Sequence, residues 1–80
     1  MDVRRLVGKN VKEIRRGKGW TQEKLAEISG VPQQYISGLE RGEKNPTLLK
    51  LHELAQGLGV PVADLVREAG SSTGGGADRG

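Results

Sequence analysis

The chain has 80 residues, enough for one small domain whose apolar side chains must share a single core, which leaves little room for an active-site cleft. It contains no Cys, which excludes disulfides and thiolate metal sites as staples for so small a fold and suits a reducing cytoplasm, the expected location. The 13 Lys and Arg exceed the 10 Asp and Glu to give a net charge of +3, and residues 1–20 alone carry seven cations against Asp2 and Glu13, so an anionic partner and a merely solvated basic helix face both stand as readings.

Val3, Val7, Val11 and Ile14 recur at steps of four, four and three with Arg and Lys between them. This predicts a helix from about Asp2 to Arg16 with one buried stripe. Gly17 and Gly19 bracket Lys18 and end it, and Trp20 follows as a core anchor. Thr21 is placed to cap a second helix, with Glu23 facing the positive end of its dipole and Leu25, Ala26 and Ile28 forming its buried face. Gly30 ends that helix. Val31 is apolar and Pro32 suits a first helical turn, so a third helix is predicted from Pro32 to about Arg41, with Ile36 and Leu39 inward and Gly42 as its stop.

After the polar stretch Glu43-Lys44-Asn45-Pro46, Thr47 caps a fourth helix whose stripe is Leu48, Leu51, Leu54, Ala55 and Leu58. Gly59 ends it. Pro61 then opens a short fifth helix to about Glu68, which buries Leu65 and one of Val62 and Val66. Five helices and no strand make an all-α domain over residues 1–69. Residues 70–80 are rich in Gly and Ser, with nothing apolar enough to offset the entropy of ordering them. They are expected to form a flexible, disordered tail, or the cut edge of a longer protein. No apolar run approaches the roughly 20 residues needed to cross a bilayer, and no secretory segment is expected.

The second and third helices meet at a very short turn, with the small Ala26 where one must let the other cross, which is helix-turn-helix geometry. The spacing of Gln22, Ala26, Gly30, Ile36 and Leu39, the run Tyr35-Ile36-Ser37-Gly38-Leu39-Glu40-Arg41-Gly42, and the following Asn45-Pro46 together resemble the phage repressor and Cro class, or XRE family, over about residues 3–68. The resemblance implies a lambda-repressor-like fold and a sequence-specific, DNA-binding regulator of transcription.

In such a protein the N-terminal end of the recognition helix meets base edges in the major groove, while the preceding helix lies over the backbone. Gln33 and Gln34 stand at that end. A Gln amide offers a donor beside an acceptor, matching N6 and N7 of adenine. The resemblance carries base reading onto Gln33, Gln34 and Ser37, with Tyr35 as a further candidate; the alternative is that the two Gln merely decorate a surface helix. Thr21 and Gln22 stand where a helix start can meet a phosphate. Arg41, Lys44 and Asn45 look like the family's second backbone clamp, against the alternative that Arg41 and Lys44 are solvated charges. Glu43 departs from that pattern, since a carboxylate near phosphate is unfavourable. Pro32 departs too, because it lacks the side-chain oxygen with which many relatives cap the recognition helix. The resemblance also makes Arg15 and Glu40 a structural ion pair that orients rather than reads.

No catalytic residue, metal site or cofactor is expected: His52 is the only histidine, no Cys accompanies it, and no pair of acids is placed to share a cleft. The expected partners are double-stranded DNA and a second copy of the chain, since one short recognition helix reads too few base pairs to discriminate against a genome. A two-fold dimer places its recognition helices in successive major grooves, about 34 Å apart, on an inverted repeat. Val60, Pro61, Val62 and Val66 are the candidate dimer surface, with completion of the monomer's core as the alternative. The rival reading is an antitoxin-like or other interaction module that grips a protein partner. No membrane partner is expected.

Overall fold

The computed structural model describes residues 2–68. Among them stand α1 (Val3–Gly17), α2 (Gln22–Ser29), α3 (Gln33–Glu40), α4 (Leu48–Leu58) and a 3-10 helix, Val62–Leu65, with no strand. The all-helical expectation holds, but four α-helices and one 3-10 helix replace the expected five helices. The fifth segment stays tight and short for a visible reason. Asp64 N–H donates to the Pro61 carbonyl and Val66 N–H to that of Ala63, both three-residue closures. Asn10 of α1 then donates its side-chain amide to the carbonyls of Leu65 and Arg67, at 3.0 and 2.8 Å, which ties the end of this segment to α1. The expected tail at 70–80, with residue 69 of the expected domain, lies outside the described residues.

The helix starts follow the capping chemistry. Thr21 and Thr47 accept from the backbone N–H groups of Lys24 and Lys50 at 3.0 and 3.1 Å, and Asp2 accepts from Arg4 at 3.0 Å. Pro32 sits outside α3 as its N-cap rather than as its first residue, with ψ at 141°, and no side chain caps the helix. Gly30 carries the turn between α2 and α3 with φ at 80°, a left-handed conformation that side chains with a Cβ rarely adopt.

The core gathers Val7 and Val11 of α1, Leu25 of α2, Ile36 and Leu39 of α3, Leu54 and Leu58 of α4, and Leu65, all at most 1% exposed. Three residues expected inside are not: Val3, Ile28 and Leu48 are 57%, 42% and 75% exposed. Val3 and Leu48 fall in the first turn of their helices, where the apolar stripe continues past the end of the core. Ile28 is displaced for a different reason. The inward face of α2 is Gln22, Leu25, Ala26 and Ser29, and its two polar members are satisfied by hydrogen bonds to Glu40 and from the Val31 N–H. That choice of face turns Ile28 outward.

Two glycines permit helices to touch through their backbones. At Gly8 of α1, buried against α3, an added Cβ would overlap the Leu39 carbonyl oxygen and lie 3.2 Å from the Glu40 Cα. At Gly57 of α4 it would lie 2.7 Å from the Cβ of Ser29 on α2. Neither close approach is visible in hydrophobic periodicity, which treats a glycine only as a weak point in a helix.

Candidate nucleic-acid interface

α3 is held against α1 and α2 by one buried carboxylate. Arg15 of α1 donates from Nε to Glu40 Oε2 at 2.8 Å and from Nη2 to Oε1 at 2.9 Å, and its Nη1 reaches the Trp20 carbonyl at 2.7 Å. Gln22 of α2 donates from Nε2 to the same Oε1 at 3.0 Å. The side chains of Arg15 and Glu40 are only 10% and 5% exposed, so each charge depends on the other for compensation. Gln22, expected beside a phosphate, thus spends one of its two side-chain N–H groups on Glu40 and is half-buried. Its signal in the sequence was position at the start of a helix, which does not reveal a partner 18 residues away.

The opposite, N-terminal end of α3 is open. Gln33 and Gln34 are exposed, and neither side chain has a hydrogen-bond partner among the described residues. With no capping side chain, the backbone N–H groups of Gln33 and Gln34 are also available, while that of Tyr35 donates to the Pro32 carbonyl at 3.0 Å. Tyr35 is half-buried against the core and Ser37 half-buried beside it on the helix. The arrangement presents two amides, each able to donate and accept in one plane, on a helix whose other end is fixed.

The loop after α3 is internally engaged. Arg41 donates from Nε and Nη2 to the two carboxylate oxygens of Glu43, at 3.0 and 3.1 Å, and from Nη1 to Ser37 Oγ at 2.6 Å. The Arg41 hydrogen bonds hold the Glu43 carboxyl below the usual carboxylate range, and Glu43 raises the Arg41 guanidinium in turn. Lys44 and Lys50 place their ammonium groups 5.7 and 5.8 Å from the centre of the Tyr35 ring, within cation–π range. Asn45 is exposed, as is the Thr21 side of the α2 start. Of the expected clamp, Arg41 therefore faces a carboxylate of its own chain. The i, i+2 spacing to Glu43 was the available signal.

Of the residues expected at a dimer surface, Val60 and Val62 pack half-buried against the core, Pro61 is exposed and Val66 is 42% exposed. Leu48 and Leu49, at 75% and 63%, add an exposed apolar pair at the start of α4. His52 is exposed. Among the described residues no cavity opens, no group of His, Cys, Asp and Glu gathers as metal ligands do, and no helix is long and apolar enough to cross a membrane.

A family model described as Helix-turn-helix matches residues 11–65. A protein of Sinorhizobium fredii named "Uncharacterized HTH-type transcriptional regulator y4dJ" is 56% identical over 66 residues, spanning 82% of this chain and 86% of that protein. Control protein C.SmaI of Serratia marcescens is 40% identical over 70 residues, 88% of this chain and 83% of that one. The solved structure of the restriction-modification controller protein C.Esp1396I, a tetramer in complex with its natural 35 base-pair operator, superimposes with a TM-score of 0.73 at 32% identity, covering 84% of this chain and 99% of that one.

Proposed function

Because the chain belongs to the XRE-type helix-turn-helix family, we propose that it is a sequence-specific, DNA-binding regulator of transcription that acts as a homo-oligomer on duplex DNA. The observation that carries this reading is the open end of α3: Gln33 and Gln34 are exposed and unpartnered on a helix locked at its far end through Glu40. A rigid helix presenting free amides is what direct readout in the major groove requires. Gln33, Gln34 and Ser37 read bases, with Tyr35 beside them, and the start of α2 at Thr21 and Gln22 meets one phosphate through its N–H groups. Lys44, Asn45 and Arg41 approach a second phosphate, Arg41 after exchange of its Glu43 partner.

Two copies on an inverted repeat double these contacts, with the exposed Pro61 and Val66 at the edge of the shared surface and Val60 and Val62 behind them. Relatives of this size include a controller that binds its operator as a tetramer, which supports assembly on DNA. A selection from random duplexes with the pure protein tests the proposal. Recovery of one inverted repeat is expected. Recovery of no sequence, together with capture of a protein ligand instead, overturns it in favour of an interaction module.

A further inference from the structure

The described cations divide into three groups, of which Lys18 and Lys44 stand over the rings of Trp20 and Tyr35. Arg4, Arg15, Lys24, Arg41, Lys50 and Arg67 each have a carboxylate partner. Arg5, Lys9, Lys12 and Arg16 have neither a carboxylate nor a ring partner among the described residues, and all four are exposed on α1. Their spacing of four, three and four residues sets them in one line along the helix, about 16 Å from first to last at 1.5 Å per residue. The buried face of α1, formed by Val7, Gly8, Val11 and Arg15, lies to one side of this line.

One end of the line adjoins the loop that follows α3. Arg5 packs against the loop after α3, where its Cγ stands 2.9 Å from the position of a Cβ on Gly42. Beside Arg16 at the other end, Arg15 of the buried face binds the Trp20 carbonyl just before the start of α2. Like charges repeated at i, i+4 repel and weaken an isolated helix by a few tenths of a kcal/mol per pair. An anionic partner relieves that repulsion. Duplex DNA is such a partner, with one charge per about 1.7 Å of its axis, so a ridge of this length faces several phosphates at once. Arg41, by contrast, is the cation on the recognition loop that is already neutralised within the chain.

We infer that the exposed ridge Arg5-Lys9-Lys12-Arg16 of α1 is a binding surface for the phosphate backbone of duplex DNA, extending the protein's contacts beyond those of α3 and its loop. The inference shares its partner with the proposed function but does not depend on base reading by α3. The ridge supplies sequence-independent affinity, and the amides of α3 supply choice.

The test compares the full chain with the double variant Lys9→Gln/Lys12→Gln and with Arg67→Gln, which removes a cation already paired with Asp64. Binding to a mixed-sequence duplex of about 40 base pairs is measured over a range of salt concentrations, and heparin and an acidic peptide serve as competing polyanions. The double variant is expected to keep its melting point and to lower the slope of log affinity against log salt by about 2, with about a tenfold or greater loss of affinity at low salt. Arg67→Gln is expected to leave slope and affinity unchanged. An unchanged slope in the double variant overturns the inference, as does an equal loss in Arg67→Gln or a ridge-dependent preference for heparin or the peptide over DNA. A parent that binds duplexes through the ridge but selects no sequence overturns base reading and leaves the ridge standing. A parent that selects an operator while the double variant retains the full slope overturns the ridge alone.

Discussion

The Arg15 guanidinium meets the Glu40 carboxylate on two nitrogens, at 2.8 and 2.9 Å, in a setting where both side chains are at least 90% withdrawn from solvent. Such a pair need not add net stability over apolar packing, but breaking it strands the survivor. Glu40→Ala is therefore expected to destabilise the fold by about 3–5 kcal/mol, most of the stability of a domain this small. Glu43→Ala, on an exposed carboxylate, is expected to leave the melting point close to the parent's. Urea and thermal unfolding of the two variants check this, and equal losses would count against the asymmetry.

On the proposed reading, Glu43 competes with DNA for Arg41. Glu43→Gln removes the carboxylate that occupies two guanidinium nitrogens, so affinity for mixed-sequence duplexes is expected to rise and the salt slope to steepen by about 1. Unchanged affinity and slope would show that Arg41 does not reach a phosphate.

The same pair sets a pH dependence. Because Arg41 lowers the Glu43 pKa, the pair is complete above the ordinary carboxylate range and is lost only as pH falls through the lowered value. The Arg41 Nε–H resonance is expected to move with a midpoint below the usual glutamate value. A midpoint at or above the usual glutamate value contradicts the pairing.

Base reading by α3 predicts a local change in preference. Gln34→Ala is expected to cost roughly 1–3 kcal/mol on the best site and to relax one base position, since a lost bidentate contact is worth about that much. Repeating the duplex selection with the variant decides it, and an unaltered preference excludes Gln34 from readout.

The glycines of α1 are expected to behave oppositely. Gly8→Ala forces backbone against backbone at Leu39 and should destabilise by about 1–3 kcal/mol. Gly17 has nothing within 4 Å of an added Cβ, so Gly17→Ala should be neutral or stabilising by up to about 1 kcal/mol. Melting temperatures of the two variants separate these outcomes.

Helix number and order were largely legible in the sequence, because Thr21, Thr47, Gly30 and Gly59 mark starts and stops by local chemistry that tertiary context left untouched. The inward face of α2 was not. Periodicity assumes that the buried stripe is apolar, whereas α2 turns Gln22 and Ser29 inward and satisfies them with partners supplied by the fold. The fifth helix was overextended: the segment closes in three-residue turns and its end is tied to Asn10, 55 residues from Leu65, a partner that local patterning does not reveal. At the candidate interface, the exposure of Gln33 and Gln34 at the start of α3 was legible from position and type. The engagement of Arg41 by Glu43 was legible only as an oddity of charge, since spacing says which groups can meet and not which do.

At Gly8, α1 and α3 meet through main-chain atoms, with the Leu39 carbonyl where a side chain on α1 would have stood. Peptide geometry is the same whatever residues surround it, so this contact does not depend on the identity of the exposed side chains at 33 and 34. Those positions can be exchanged without retuning the frame that carries them. On the proposed reading, a lineage of such chains could acquire new targets by a few changes at one exposed end, inheriting its posture intact, while any residue larger than glycine at position 8 would force main chain against main chain.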